Sequence, residues 1–286
     1  MSVLKKRDGG TSSPDGRASR PRRTLLDPAA LAARVQRSHL HPSPELAPFV
    51  SIAWMLRWDL RSHEAFVQHV LPDPCVQIVV EASGAHVMGV VTSLFSATLT
   101  DSRCVFGLKF RPGGFYPFTR RPVAALTNRT ERLADLFPGA DEAQFQERAA
   151  EADGPALMAT LEGLLVNAKP TLTASVHDVQ HVVERIADDP TMLSVEHVSR
   201  VFGISPRSLQ RLLRTHVGAS PKWMRLYRIK EATARIEEGD VVDWADLAGQ
   251  LGYADQPHFI NDFRSLVGRS PGEYAVHRMS PVGGTR

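Results

Sequence analysis

Two segments near the C-terminal end of the chain repeat the same arrangement of apolar residues, glycine and proline. The first copy recurs 49 positions later, and the offset becomes 50 after a one-residue insertion in the second turn. The aligned positions are 202–204 with 251–253, Leu209 with Phe259, Leu213 with Phe263, Val217-Gly218 with Val267-Gly268, and Ser220-Pro221 with Ser270-Pro271. Apolar residues four positions apart share one helix face, and the recurring glycines and Ser-Pro pairs mark helix ends. The repeat therefore predicts two helix-turn-helix units joined by one longer helix.

Residues around the first copy carry signals for the start and end of each helix. Ser194 and Ser205 are suited to cap the helices that follow them. Pro206 falls at a first helical position, where its missing N–H does no harm. We expect helices over 179–187, 195–202, 206–217 and about 221–237, with Gly203 in the turn between the second and the third.

The N-terminal half shows short apolar runs separated by Gly, Pro and Asp. Runs at 76–80, 86–91 and 104–110 have the length of β-strands, whereas 133–137 and 143–165 have helical periodicity. The predicted fold class is an α+β, β-rich N-terminal domain followed by an all-α C-terminal domain with two helix-turn-helix units. The predicted boundaries are a disordered basic tail at 1–24, a β-rich regulatory domain at 25–140, connecting helices and a linker at 141–174, the helical domain at 175–276, and a tail at 277–286.

Positive charge is concentrated next to the repeat. Residues 200–230 hold eight basic residues and no acidic one, whereas 231–274 hold nine acidic and three basic residues. A one-sign segment of this kind is typical of an electrostatic footprint for nucleic acid. On charge alone, a solvated helix face is an equal alternative.

Composition narrows the class of protein further. The chain is 43% hydrophobic and contains only two cysteines, Cys75 and Cys104. Two distant cysteines argue against a disulfide framework and predict a reducing, cytoplasmic location. We expect no membrane partner, because no stretch approaches the roughly 18 to 20 apolar residues of a membrane span and the N-terminus lacks a secretory signal.

The second copy resembles the signature of the AraC/XylS transcription regulators over most of its length. The residues that carry this resemblance are Leu247-Ala248, 251–259, Phe263-Arg264, Gly268, Ser270-Pro271 and Tyr274. The first copy, at 205–214 and 217–221, is similar to the partner motif of that family. The resemblance is strong over about 178–276 and weaker in the N-terminal half, where it rests on 46–49, Trp54, 71–73 and 110–114.

This resemblance implies a sequence-specific regulator that binds double-stranded DNA. It also implies a cupin-like N-terminal domain that senses a small-molecule effector or provides a homodimer interface, with RNA polymerase as a further partner. We expect no cofactor, no metal and no catalytic residue, since no metal triad, nucleophile elbow or paired-carboxylate motif is visible. The pair His39 and His41 lies in a Pro-rich segment without a carboxylate at ligand spacing, so we expect surface histidines there.

Each unit would place its second helix in the major groove, with polar side chains of its first turns on base edges. The expected base-facing residues are Arg207, Gln210, Arg211, Gln256, His258 and Asn261. The expected phosphate partners are Arg200, Ser205, Ser208, Arg214, Lys222 and Arg264.

The two units are not equivalent in chemistry. Pro257 has no hydrogen-bonding side chain, Asn261 stands where the family often has arginine, and Asp255 and Asp262 bring negative charge to the second unit. We therefore expect the first unit to supply most of the affinity for DNA.

Two other functions fit parts of the pattern. A cupin-type barrel can be an enzyme with an appended helical module, and the helices can be a scaffold in a protein-interaction adaptor. A resemblance to a fragment of alkylation-repair proteins would require a reactive cysteine, but neither cysteine has basic and His neighbours that would lower a thiol pKa.

Overall fold

The N-terminal half of the chain is built from two antiparallel sheets. A computed structural model describes residues 25–26, 28–189, 191–192, 194–220, 223–239 and 243–279. Its strands are β1 (Val35–Leu40), β2 (Val50–Asp59), β3 (Phe66–Val70), β4 (Gln77–Glu81), β5 (Gly84–Met88), β6 (Phe95–Leu99), β7 (Ser102–Phe110) and β8 (Thr130–Arg132). The larger sheet has the order β1-β2-β7-β4-β5-β8, and β3 pairs with β6 in the smaller one. The β-rich N-terminal domain predicted from the sequence is thus confirmed.

Helices pack against strands of the larger sheet. The short helices are α1 (Pro28–Ala32), α2 (Tyr116–Thr119) and α3 (Leu133–Leu136), followed by the longer α4 (Glu142–Glu151) and α5 (Gly154–Asn167). Helix α4 contacts β4, β5 and β7, and α5 contacts β1 and β7. The two helices expected to connect the domains are therefore part of the N-terminal core, where Phe145 and Leu161 are buried.

The strand predicted at 86–91 ends at Met88, and the next residue, Gly89, packs closely against the backbone of Leu126. The run 86–91 leaves the sheet after Met88, where the Gly89 N–H donates to the Arg129 carbonyl at 2.9 Å. A Cβ at Gly89 would lie 1.8 Å from the carbonyl oxygen of Leu126. A side chain at this position would force the two backbones apart, so glycine is required for this close approach.

The C-terminal half is entirely helical in the part of the chain that the structure describes. Its helices are α6 (Ala174–Asp188), α7 (Val195–Phe202), α8 (Pro206–His216), α9 (Met224–Glu238), α10 (Trp244–Gln250), α11 (Gln256–Val267) and α12 (Pro271–Met279). The predicted caps are confirmed, since the Ser194 and Ser205 side chains accept from the N–H groups of His197 and Ser208. Gly203 ends α7 in the left-handed conformation with φ of 65°.

The apolar interior does not follow the predicted domain boundaries. One core contains the sheet residues Phe106 and Phe110 together with Val179 of α6 and Leu213 of α8. A second core belongs to the second helix-turn-helix unit but also takes in Leu71 from the N-terminal half. The helical domain is therefore packed against the N-terminal domain through apolar contacts in both units.

The two tails predicted from the sequence, 1–24 and 277–286, lie mostly outside the described residues. Residues 1–24 and 280–286 lie outside the described residues, while α12 runs to Met279, three residues past the predicted end of the helical domain. Within the described ranges, none of the helices combines the length and the apolar composition that a membrane crossing needs.

Candidate DNA-binding surface

The two copies of the sequence repeat form two helix pairs of the same construction. Helices α7 and α8 make the first pair, α10 and α11 make the second, and α9 joins them. Leu209 and its counterpart Phe259 are both fully buried. The next pair in the repeat, Leu213 and Phe263, is fully buried as well. The repeated apolar positions therefore hold α8 and α11 in their units through equivalent inward faces.

Helix α8 presents its polar residues to solvent. Ser205 caps its N-terminus and Pro206 occupies the first turn. Arg207, Gln210 and Arg211 are all exposed. Because α8 buries its leucines on the opposite side, these three side chains form one accessible polar face along its first two turns.

Helix α11 repeats this arrangement with different chemistry. The Asp255 side chain caps it by accepting from the His258 N–H at 2.8 Å. His258 and Asn261 are exposed, and Gln256 is half-buried. The structure therefore places all six residues expected to face bases on the first two turns of α8 and α11.

Asp262 is more buried than the sequence led us to expect. Its side chain is only 10% exposed, and its Oδ1 accepts from the Arg225 guanidinium of α9 at 2.7 Å. The Asp262 carboxylate is thus paired with Arg225, but its Oδ2 also lies 3.9 Å from Nε2 of the exposed His258, so its negative charge remains beside a residue expected to face bases. The spacing alone did not reveal this, since position 262 adjoins the buried Phe263 and its partner is on another helix.

The residues expected to contact phosphates fall into three groups. Arg200, Arg214 and Arg264 are exposed cations. The Ser205 hydroxyl caps α8 and donates to the Ser208 hydroxyl at 2.9 Å, so both serines already serve the helix end. Lys222 lies outside the described residues.

The linking helix α9 carries buried charges that the sequence analysis did not single out. Lys230 is 4% exposed and Glu237 is 6% exposed. The Lys230 ammonium donates to Asp73 at 2.9 Å, and Glu237 accepts from the Tyr274 hydroxyl at 2.6 Å. Burial on its own would raise the pKa of Asp73, but the ammonium groups of Lys109 and Lys230 outweigh it and hold that pKa well below its usual range. Asp73 is thus a charged carboxylate inside the molecule.

The cysteines and histidines of the N-terminal half show no reactive arrangement among the described residues. Burial raises the pKa of the Cys104 thiol, and the nearby Arg57 offsets this only in part. A raised pKa leaves less thiolate, which is the opposite of what an alkyl-accepting cysteine needs. Within the same ranges, no group of three His, Cys, Asp or Glu side chains is placed to hold a metal ion.

Comparison with known families agrees with this architecture in both halves. Residues 198–276 match a family described as a helix-turn-helix domain, and residues 38–132 match a domain of unknown function, DUF6597. The chain is 29% identical over 104 residues to the HTH-type transcriptional regulator GlxA of Rhizobium meliloti. That match covers 36% of this chain and 30% of the relative, so the chain spans less than a third of the length of GlxA.

Weakly similar chains are also found among the solved structures. A transcriptional regulator with an AraC-type DNA-binding domain from Chromobacterium violaceum is 22% identical, with a TM-score of 0.32 over 35% of this chain and 90% of its own. ToxT from Vibrio cholerae is 12% identical, with a TM-score of 0.39 over 87% of this chain and 100% of its own.

The two helix pairs and the repeat define the C-terminal region as a double helix-turn-helix domain, and residues 198–276 of it match the helix-turn-helix family. The resemblance of this region to helix-turn-helix transcription regulators, predicted from the sequence, is confirmed.

Proposed function

We propose that this protein is a transcription regulator that reads duplex DNA with α8 and α11 in adjacent major grooves. The observation that carries this proposal is the shared construction of the two units, each of which buries its repeated apolar residues and exposes polar side chains on the first two turns of its second helix. The linking helix has 15 residues and is about 22 Å long at about 1.5 Å per residue. With the turns and packing at its ends, this length suits recognition helices about 34 Å apart along one face of the duplex.

Each exposed side chain has a role that follows from its chemistry. Arginine is suited to bidentate bonds with guanine, and glutamine or asparagine to bidentate bonds with adenine. Arg207, Gln210 and Arg211 would thus read bases in one groove, with Gln256, His258 and Asn261 in the next. Arg200, Arg214, Lys222 and Arg264 would bind phosphates, which position the protein without specifying sequence. Ser205 and Ser208 would add hydroxyl contacts to phosphate near the N-terminus of α8.

We still expect the two units to differ in their contribution to the affinity for DNA. Asp262 contributes less to this difference than expected, because its carboxylate is paired with Arg225. Pro257 still offers no hydrogen bond, and Asn261 is shorter than the arginine often found there. The first unit would therefore supply most of the affinity.

The N-terminal domain would supply regulation rather than catalysis. We infer that it senses a small-molecule effector, provides a homodimer interface, or both, and that the protein acts in the cytoplasm with RNA polymerase as a partner. The raised pKa of Cys104 argues against an alkyl-accepting role for this thiol.

Binding-site selection with the full-length protein tests the proposal. Arg211→Ala should weaken binding to the selected sequence by about 1–3 kcal/mol and relax the preference at one position. Arg214→Ala serves as the matched control on the same helix, since loss of a phosphate contact should weaken all sequences alike and reduce the salt slope by about 1. The first-unit bias would be refuted by equal or larger losses in Gln256→Ala and Asn261→Ala.

DNA binding and metal content together separate the two alternative functions. An adaptor that uses these helices as a scaffold would show no salt-sensitive binding to any duplex. An enzyme with an appended helical module would be indicated by stoichiometric metal in the purified protein.

A further inference from the structure

Three charged side chains meet inside the molecule where the N-terminal domain contacts α9. Asp73 precedes β4, and its Oδ1 accepts a hydrogen bond from Lys230 at 2.9 Å. Its other oxygen accepts from Lys109 on β7. Lys109 and Asp73 both belong to the N-terminal domain, so of these two ion pairs the one with Lys230 crosses between the domains. The Lys230 side chain is 4% exposed and that of Asp73 is 16% exposed, so the crossing pair is shielded from solvent.

Contacts on both sides of this pair join the N-terminal domain to each helix-turn-helix unit. Toward the first unit, the Thr127 hydroxyl donates to the Gly218 carbonyl. Toward the second unit, Leu71 is buried in the same core as Leu226, one helical turn before Lys230. Besides the charged pair, a hydrogen bond and an apolar contact therefore join the N-terminal domain to the two helix-turn-helix units.

The contact between the N-terminal domain and α9 leaves the exposed residues of α8 and α11 uncovered. Arg207, Arg211, His258 and Asn261 are exposed with the N-terminal domain in place. The contact with α9 accordingly leaves these four side chains accessible. Its physical effect is to fix the linking helix, and holding a binding surface in its bound geometry lowers the ordering cost of association.

We propose that Asp73 and Lys230 are positioning residues for DNA recognition. Their ion pair fastens α9 to the N-terminal domain and holds the two recognition helices in one relative orientation. This inference rests on the proposed function. It adds that the N-terminal domain is part of the DNA-reading geometry, through a bond between residues 157 positions apart.

Two substitutions with the same charge change separate positioning from general electrostatics. Lys230→Met removes the bond between the domains and leaves Asp73 paired with Lys109. Lys109→Met removes the bond within the N-terminal domain and leaves Asp73 paired with Lys230. Each variant loses one positive charge. Both would be measured as full chains on a selected operator and on duplexes in which one half-site is scrambled.

We expect Lys230→Met to weaken binding to the complete operator by about tenfold, within the usual range of coupling between sites. Binding to either single half-site should be unchanged, because one recognition helix needs no fixed partner. Lys109→Met should leave both affinities within about twofold of the unmodified protein, a change too small to mark a lost coupling.

Each other outcome overturns a stated part of the reasoning. Equal losses in the two lysine variants, or a loss on single half-sites as large as on the operator, would refute positioning. Tighter operator binding by Lys230→Met would also refute it, since the contact would then be inhibitory. Should Lys230→Met not fold, Lys230→Gln keeps a donor to Asp73, and failure of both to fold would assign the pair to stability alone. Absence of salt-dependent duplex binding by the unmodified protein would refute the proposed function itself.

Discussion

The packing of the first helix-turn-helix unit on the N-terminal domain can be measured at Gly218. This glycine follows α8 with φ of +80°, and a Cβ built on it would lie 2.9 Å from both Cγ1 and the carbonyl oxygen of Val123. Gly203 follows α7 with φ of +65°, and a Cβ there would meet nothing within 4 Å. The two positions share the left-handed conformation and differ in whether the other domain is in contact.

The expected magnitudes follow from this difference. Alanine in the left-handed region costs about 1–2 kcal/mol, which is the whole expected effect of Gly203→Ala. Gly218→Ala adds the cost of forcing a methyl group into a packed contact, about 1–3 kcal/mol, for a total of about 2–5 kcal/mol. The smaller gain from a stiffer unfolded chain is common to both variants and cancels in the comparison.

Urea unfolding of the full chain, followed by far-UV circular dichroism, measures both free energies. Gly239→Ala provides a second control, because its φ is also +80° and a Cβ there would also meet nothing within 4 Å. Losses in Gly218→Ala that match those of the two controls would refute the docking of Gly218 on Val123.

Three further predictions concern single contacts in the same structure. Burial lowers the pKa of His216 from its ordinary value of 6.5, so the unfolded chain takes up a proton that the native imidazole resists. Stability should thus fall as the pH drops below 6.5. The His216→Gln variant should show a smaller decrease in its urea midpoint between about pH 7.5 and 5.5 than the unmodified protein. The same decrease in both proteins would contradict this prediction. Tyr274→Phe removes the 2.6 Å bond to the buried Glu237 and should cost about 1–3 kcal/mol in urea unfolding, so an unchanged midpoint would be against it. Gly107→Ala would place a Cβ 2.1 Å from the Trp54 ring and should cost about 1–3 kcal/mol, with a red-shifted Trp fluorescence expected as the ring is displaced.

The helical half was largely predictable because its signals are local. The limits of α7 and the caps at Ser194 and Ser205 follow from residues within a few positions of each other. The burial of Leu209 and Phe259 follows from their spacing along one helix. Such features need no knowledge of the rest of the fold.

The N-terminal half was predicted less completely, since its strands depend on partners far away in sequence. Strand β2 carries Arg57 and Asp59 near its end and is half-buried at several positions, so its sequence lacks a clean alternation. Strands β3 and β6 pair with each other across about thirty residues, and neither has a long apolar run. Long-range pairing of this kind leaves little trace within a single window of sequence.

The contact between the domains was invisible for the same reason, although one residue gave a hint. Lys230 lies on the buried side of α9, one turn after Leu226 and one turn before Ala234. A lysine in such a row is unusual, because a buried ammonium needs a counter-charge. The sequence thus signals that a partner exists, but only the fold identifies it as Asp73.

The two halves of the protein share one apolar core across the boundary predicted from the sequence. The predicted boundary near residue 175 separates two architectures, but Val179 on α6 packs on Gly113 of the N-terminal domain and belongs to the same core as Leu213 of the first unit. A segment cut at that boundary would expose this surface, so loss of DNA binding by the isolated helices would not count against the regulator function. Experiments on the full chain avoid this ambiguity. Such experiments also keep the bond between Asp73 and Lys230. Through this bond, a displacement of the segment before β4 would reach α9, the helix that joins the two helix-turn-helix units.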